Sequence, residues 1–110
     1  MPHVQALDAL QLQVLLDTPD KPLLIDFYAL WCGPCKGMGP ALEAFAEEQG
    51  AALAVIKVDI DEYPDIAHRF HVRSVPTLVL LLDGDVLGVQ IGALSKAGLG
   101  KFLESNLPVT

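Results

Sequence analysis

The sequence predicts an α/β domain in which a mixed β-sheet carries helices on both faces. Apolar runs of strand length alternate with segments of helical periodicity along the chain. One βαβ unit comes first, and two strands joined by a tight turn follow it, which implies parallel and antiparallel pairing in one sheet. At 110 residues the chain is long enough for one hydrophobic core and too short for two, so we expect a single domain over residues 1–110.

The first half of the chain supplies the βαβ unit. Asp8 is placed to cap a first helix. The apolar stripe of that helix consists of Leu7, Leu10, Val14 and Leu15. Residues 23–29 form a near-continuous apolar run, typical of a strand that is buried on both faces. A helix is predicted over residues 34–49, ending before Gly50, and residues 53–58 are predicted as the next buried strand.

The second half begins with a polar, turn-rich segment over residues 59–72, with a short helix around residues 66–70. Residues 77–82 and 86–91 are strand-like, and the Asp-Gly-Asp sequence at 83–85 between them predicts a hairpin. Ser95 opens a final helix. Its inner face consists of Leu99, Phe102, Leu103 and Leu107.

The composition favours a folded protein outside the membrane. Hydrophobic residues make up 52% of the chain and charged residues 19%, which is enough apolar surface to offset chain entropy. Pro or Asp interrupts every apolar run well before the roughly 18 residues that a membrane span needs. Residues 1–5 lack the basic stretch and apolar block of a signal peptide. We therefore expect a soluble, cytoplasmic protein.

The formal net charge is −7, and no basic cluster exceeds two residues. Binding to a phosphate backbone needs a positive stripe, so nucleic acid is not an expected partner. The acidity is most simply explained by solubility.

The two cysteines, Cys32 and Cys35, are the chemical centre of the sequence. A disulfide over so short a loop restrains the unfolded chain little, so a purely structural role explains the pair poorly. The pair lies where a strand gives way to a helix, and there the free N–H groups and the helix dipole favour a thiolate at Cys32. Lys36 adds a positive charge. Cys35 lies one turn further in, so we expect it to be more buried and to resolve a mixed disulfide formed at Cys32.

Half of a zinc site is the main alternative for a Cys-x-x-Cys pair. Such a site needs two more ligands, and the candidates are His3, His68 and His71. His68 and His71 flank Phe70 in a polar segment, where we expect surface residues. The position between a strand and a helix favours redox chemistry, and no metal is expected.

The sequence resembles the thioredoxin family from about residue 7 to residue 107. Four stretches carry the resemblance, and they are residues 26–36 with Trp-Cys-Gly-Pro-Cys at 31–35, then residues 57–59, 75–78 and 92–93. The resemblance implies the thioredoxin fold, a central mixed sheet of about five strands flanked by about four helices. It also implies a reductase of protein disulfides with Cys32 as nucleophile and Cys35 as resolving thiol. Gly33 and Pro34 between the cysteines resemble the reducing members of the family.

The same resemblance implies how the oxidised protein is reduced again after each reaction. No cofactor is expected to be bound, because NADPH acts indirectly through a flavoprotein, thioredoxin reductase. The expected partners are that reductase and protein substrates that contain disulfides, with the protein itself a monomer. An alternative function, also known for this fold, is a redox-independent protein-binding or chaperone-like module that uses the same surface.

Two charged residues interrupt buried strands, Asp26 in the first and Lys57 in the second. Burial would raise the pKa of Asp26 and allow it to exchange a proton near neutral pH. The resemblance implies that Asp26 is the general acid/base that serves Cys35. If the two strands pair, Lys57 and Asp26 are neighbours, and each offsets the desolvation cost of the other. A purely structural ion pair is the alternative.

The resemblance also implies an apolar surface that binds substrate. It consists of Trp31, Gly33, Pro34, Val75, Pro76, Gly92 and Ala93. Only about 5–6% of X–Pro bonds in folded proteins are cis, so local sequence favours a trans bond before Pro76. The family has a cis bond there, and we predict one. The Val75 backbone would then pair with an extended substrate as an added strand.

The chain departs from the common family pattern at three positions near this site. Tyr28 stands where Trp is most frequent, Leu30 where a polar residue is frequent, and Gly37 where a larger apolar residue is usual. Leu30 and Gly37 would alter the rim of the docking surface, and with it the choice of partner. Pro40, inside the second helix, removes a backbone hydrogen bond and is expected to kink it.

Overall fold

The computed structural model describes residues 4–6, 12 and 21–108. The described strands are β1 (Gln5–Ala6), β2 (Leu23–Tyr28), β3 (Ala54–Asp59), β4 (Thr77–Leu82) and β5 (Asp85–Ile91). The described α-helices are α1 (Gly33–Gln49), α2 (Pro64–Arg69) and α3 (Lys96–Asn106), and a short 3₁₀ helix (Gly50–Ala52) follows α1.

The five strands form one mixed sheet in the order β1-β3-β2-β4-β5. β1 and β2 both run parallel to β3, whereas β4 is antiparallel to β2 and β5 is antiparallel to β4. The predicted βαβ unit and hairpin are therefore confirmed, with element ends that differ by one or two residues. The predicted first helix, with its cap Asp8 and its stripe, lies outside the described residues, apart from the buried Leu12.

The two faces of the sheet bury two separate apolar clusters, because side chains alternate across a strand. The cluster under α1 and α3 takes Leu24, Val55, Leu78 and Leu80 from the sheet. The cluster on the opposite face takes Ile25, Phe27, Ile56, Val58, Val79 and Leu81, and α2 covers it with Ile66 and Ala67. The predicted arrangement of helices on both faces is confirmed. Residues 26 and 57 follow the alternation onto the α1 face, which determines where the site lies.

Local sequence signals explain the turns of the second half. Asp83 and Gly84 both have positive φ, 53° and 82°, as a two-residue hairpin turn requires. Ser95 caps α3, and its Oγ accepts a hydrogen bond from the Gly98 N–H at 3.1 Å. Pro40 lies inside α1, which continues beyond it to Gln49.

Within the described part of the chain, no helix combines the length and the apolarity that crossing a membrane requires.

Phe27 is the central aromatic residue of the second cluster, and it offers a test of the packing. Its side chain is fully buried, and its ring centroid lies 5.8 Å from that of Phe70. We expect Phe27→Ala to lower the free energy of unfolding by about 3–5 kcal/mol, because it removes buried apolar area and leaves a cavity. Urea denaturation measures this. The control Val89→Ala, at a half-exposed strand position, should cost at most about 1 kcal/mol. Equal losses would contradict the assigned core.

Candidate active site

Cys32 lies in the turn between β2 and α1 and acts as the N-cap of the helix. Its backbone is extended, with φ −88° and ψ 109°, and its N–H donates to the Ala29 carbonyl oxygen at 3.1 Å. Its Sγ accepts a hydrogen bond from the Cys35 N–H at 3.1 Å. The sulfur therefore occupies the place that a Ser or Asp oxygen takes in an ordinary N-cap.

Cys32 and Cys35 form a disulfide, with their Cα atoms 5.3 Å apart. The prediction that Cys35 would be the more buried of the two is wrong in this oxidised form. Cys32 is 4% exposed and Cys35 is 7% exposed. The bond draws both sulfurs into one small apolar cluster with Ala29, packed by Tyr28, Ile60 and Val75. Exposure does not distinguish the two cysteines, but the hydrogen bond to Cys32 Sγ does.

The helix terminus makes Cys32 the better thiolate when the disulfide opens. The Cys35 N–H points at Cys32 Sγ, and the positive end of the α1 dipole adds to its effect. The first turn of α1 contains no acidic residue to oppose this, and Lys36 follows on the exposed side. A thiolate is the species that attacks a disulfide, so the geometry favours attack by Cys32.

Asp26 and Lys57 are brought together as predicted, because β2 and β3 pair with Asp26 opposite Lys57. Asp26 is 5% exposed, and its Oδ1 has no hydrogen-bond partner. Burial raises the pKa of Asp26 from its ordinary 3.8 to about 7, although the positive charge of Lys57 acts in the opposite direction. The carboxyl group can therefore gain or lose a proton near neutral pH.

Lys57 also contacts the aromatic ring of Tyr28, the residue that precedes the cysteine loop at the end of β2. Its Nζ lies 5.1 Å from the centroid of the Tyr28 ring, within the range of a cation–π contact. Burial raises the pKa of the Tyr28 phenol, and the charge of Asp59 raises it further. Tyr28 therefore holds its proton and offers Lys57 a neutral π face.

A cavity of about 390 Å³ joins the acid to the cysteine pair. The residues around it include both apolar and charged ones. They are Val4, Asp26, Tyr28, Ala29, Leu30, Cys35, Lys36, Gly39, Leu42, Glu43 and Lys57. Asp26 and Cys35 therefore face the same space.

The predicted substrate surface includes the residues that directly precede β4. The Val75–Pro76 peptide bond is cis, as predicted. Val75 packs against the cysteine cluster, and the Gly92 N–H donates to the Pro76 carbonyl oxygen at 2.9 Å. Gly92 has φ 99°, a backbone conformation that favours glycine. Ala93 follows it and is exposed.

Trp31, Gly33 and Pro34 are exposed beside Cys32, and Trp31 is 69% exposed rather than a core aromatic. A residue that the sequence reasoning missed orients it. The Trp31 Nε1–H donates to Asp61 Oδ2 at 2.9 Å, while the Asp61 N–H donates to Asp59 Oδ1 at 2.9 Å. Asp61 follows β3, whose carboxyl end lies beside that of the parallel β2. The predicted parallel pairing of β2 and β3 could therefore have indicated that Asp61 lies near the cysteine loop.

The histidines of the zinc alternative do not approach the cysteines in the described structure. His68 and His71 are exposed around the end of α2, and His3 lies outside the described residues. Within residues 4–6, 12 and 21–108, no three His, Cys, Asp or Glu side chains are arranged to hold a metal ion.

Comparison with known proteins gives consistent matches. The sequence model of the thioredoxin family matches residues 3–105. Thioredoxin from Pseudomonas aeruginosa is 44% identical over 88 residues, which cover 80% of this chain and 82% of the relative. Thioredoxin 1 from Nostoc is 37% identical over 103 residues, which cover 94% and 95%. The bifunctional thioredoxin reductase/thioredoxin of Mycobacterium leprae is 44% identical over 89 residues, which cover 81% of this chain and 19% of that protein.

The family match spans nearly the whole chain, and the cysteine pair lies at disulfide distance where the family has its redox site. The chain therefore belongs to the thioredoxin family and is a thiol–disulfide oxidoreductase of the protein-disulfide reductase type, with Cys32–Cys35 as its redox-active disulfide.

Proposed function

We propose that Cys32 is the attacking thiolate, that Cys35 resolves, and that Asp26 carries the proton between Cys35 and solvent. The observation that supports this division most directly is the N-cap, where Cys32 Sγ accepts the Cys35 N–H at the start of α1. That contact stabilises negative charge on one sulfur only.

The reaction proceeds in two exchanges. The Cys32 thiolate attacks one sulfur of a substrate disulfide, a mixed disulfide forms, and the other substrate sulfur leaves as a thiolate. Cys35 then loses its proton and attacks Cys32 Sγ, which forms the Cys32–Cys35 disulfide and expels the second substrate sulfur. The substrate gains two electrons and becomes a dithiol, and the protein loses two electrons and becomes a disulfide.

Asp26 supports the second exchange. Its carboxyl group and Cys35 line one cavity, and the Asp26 pKa of about 7 lets it accept the Cys35 proton at physiological pH. Before the transfer, Lys57 stabilises the Asp26 carboxylate from the neighbouring strand, and this ionised form is the one that accepts the proton. The contact of Lys57 Nζ with the Tyr28 ring holds the ammonium group beside the cavity.

The substrate surface in this proposal consists of Trp31, Gly33, Pro34, Val75, Pro76, Gly92 and Ala93. The contact of Val75 with the cysteine cluster supports it, because a strand paired with the Val75 backbone passes beside Cys32. The hydrogen bond from Gly92 to Pro76 joins the two loops into one surface.

The protein is recharged, in this proposal, by an NADPH-dependent flavoprotein thioredoxin reductase. The fused reductase/thioredoxin of Mycobacterium leprae supports such a partnership. We place the protein in the cytoplasm as a monomer and a single domain over residues 1–110. A cytoplasmic setting supplies NADPH and keeps protein thiols reduced, and the family match over residues 3–105 supports one domain. No observation favours the redox-independent binding module.

The division of labour between the cysteines is tested by Cys35→Ser. We expect this variant to lose turnover in NADPH-coupled reduction of insulin with a bacterial thioredoxin reductase. It should also accumulate mixed disulfides with substrate, because Cys32 attacks and nothing resolves. Mass spectrometry under non-reducing conditions identifies the adduct. The matched control Cys32→Ser should neither turn over nor accumulate adducts. Turnover by Cys35→Ser at the parent rate contradicts the mechanism.

The raised pKa of Asp26 predicts a pH-dependent stability difference. Below about pH 3.8 the carboxyl is protonated in both folded and unfolded chains. Between about pH 3.8 and 7 only the unfolded chain releases the proton, so burial of Asp26 lowers stability as pH rises, and the loss is complete above 7. Relative to the parent, oxidised Asp26→Asn should therefore gain stability over this range, by on the order of 4 kcal/mol at pH 8.

Urea denaturation of both proteins from pH 3.5 to 8 measures this difference. Asp85→Asn, at an exposed carboxyl, is the control, and its difference from the parent should stay within about 0.5 kcal/mol at every pH. A difference between Asp26→Asn and the parent that does not vary with pH contradicts the buried-acid assignment.

A further inference from the structure

Met38 links the catalytic helix to a distant loop. It lies on α1 one turn after Cys35, and its side chain is 3% exposed. Its Sδ accepts a hydrogen bond from the Leu94 N–H at 3.5 Å, between residues 56 positions apart in the chain. The thioether is flexible enough to fill the core and also provides a weak acceptor, which an aliphatic side chain of the same size lacks.

Leu94 directly follows Gly92 and Ala93 of the substrate surface. The segment 92–94 is thus held at both ends, by the Gly92 N–H on the Pro76 carbonyl oxygen at 2.9 Å and by the Leu94 N–H on Met38. Leu94 is also close to α3, since its side-chain atoms lie 3.3 Å from where a Cβ on Gly98 would be. Leu94 also packs against the apolar cluster under α1, and its hydrogen bond to Met38 gives that packing a directed contact with the helix that carries Cys35.

We propose that Met38 is a positioning residue for protein substrates, in which its thioether sets the place of the segment 92–94 relative to the cysteine pair. The inference rests on the proposed role of Gly92 and Ala93 in substrate binding. Without the acceptor, the Leu94 N–H is left unpaired in a partly buried site, and the segment gains freedom that binding must remove.

A protein substrate and a small disulfide respond differently to this contact. A protein disulfide needs the segment 92–94 in place, whereas a small disulfide such as 5,5′-dithiobis(2-nitrobenzoate) needs access to Cys32. Loss of the Met38 acceptor should therefore raise KM for the protein disulfide without changing its kcat. The rate of reaction with the small disulfide should stay unchanged. A general disturbance of the core would change the reaction rates with both substrates.

Norleucine provides a sharp test, because it replaces the sulfur by a methylene group at nearly constant shape. The chain has two methionines, Met1 and Met38, so norleucine labelling changes one residue of the described structure. We expect KM for insulin reduction to rise about two- to fivefold, the effect of losing one weak hydrogen bond. Amide hydrogen exchange at Leu94 should become faster by a similar factor.

Two controls separate the contact from its surroundings. Met38→Leu protein, compared with and without norleucine at Met1, isolates any effect of labelling the first residue. If the norleucine-labelled parent does not fold, Met38→Leu without labelling serves as the variant that lacks the acceptor. Leu103→Ile changes packing in the same apolar cluster on α3 without removing the acceptor. An unchanged insulin KM, an equal change with the small disulfide, or an equal rise in Leu103→Ile each overturns the proposal.

Ala93→Glu distinguishes failure of this inference from failure of the proposed function. It places a charge in the substrate surface and should reduce insulin turnover more than small-disulfide reduction. If Ala93→Glu is impaired and the norleucine protein is not, the role of Met38 is wrong and the surface stands. If neither affects insulin, the substrate surface itself is wrong.

Discussion

The hydrogen bond from the Cys35 N–H to Cys32 Sγ is the contact on which the site depends. It exists because β2 ends where α1 begins, so that a cysteine takes the N-cap position. The same contact satisfies a free N–H of the helix and prepares one sulfur to carry negative charge. In the proposed mechanism, one interaction therefore serves both helix initiation and activation of the nucleophile. The strand that leads into it, β2, is central in the sheet, which gives the turn a rigid base.

The burial of Asp26, in contrast, lowers the stability of the fold and serves the proposed function. Its carboxyl is buried with an unpartnered oxygen, which costs folding free energy whenever the group is ionised. Lys57 reduces this cost from the paired position on β3 and also contacts the Tyr28 ring. In the proposed mechanism, the cavity that Asp26 shares with Cys35 is the route of the proton. A carboxyl with ordinary solvation would cost less, but it would be ionised throughout and unable to donate near neutral pH.

The proposed mechanism assigns different tasks to two groups of residues around the cysteine pair. The acid, the lysine and the cavity lie on the α1 face of the sheet, whereas Val75, Pro76 and the segment 92–94 form the proposed docking side. Met38 belongs to α1 and connects this helix to the segment 92–94 through its bond to Leu94. Leu30 and Trp31 are both 69% exposed, so the departure at Leu30 changes the exposed surface beside the cysteine pair, and Leu30 also lines the cavity shared by Asp26 and Cys35.

The sequence by itself determined the order of elements, the mixed sheet, the hairpin turn at Asp83 and Gly84, and the placement of Cys32 at a helix start. These follow from local periodicity, turn chemistry and the position of Gly and Pro. Family resemblance supplied the cis bond before Pro76 and the proposed acid/base role of Asp26, whereas the neighbouring positions of Asp26 and Lys57 followed from the expected pairing of their strands. Tertiary structure alone decided the similar burial of the two cysteines, the bond from Trp31 to Asp61 and the bond from Leu94 to Met38. Each of these joins residues through packing or strand pairing, and local sequence contains no signal for which distant groups will meet.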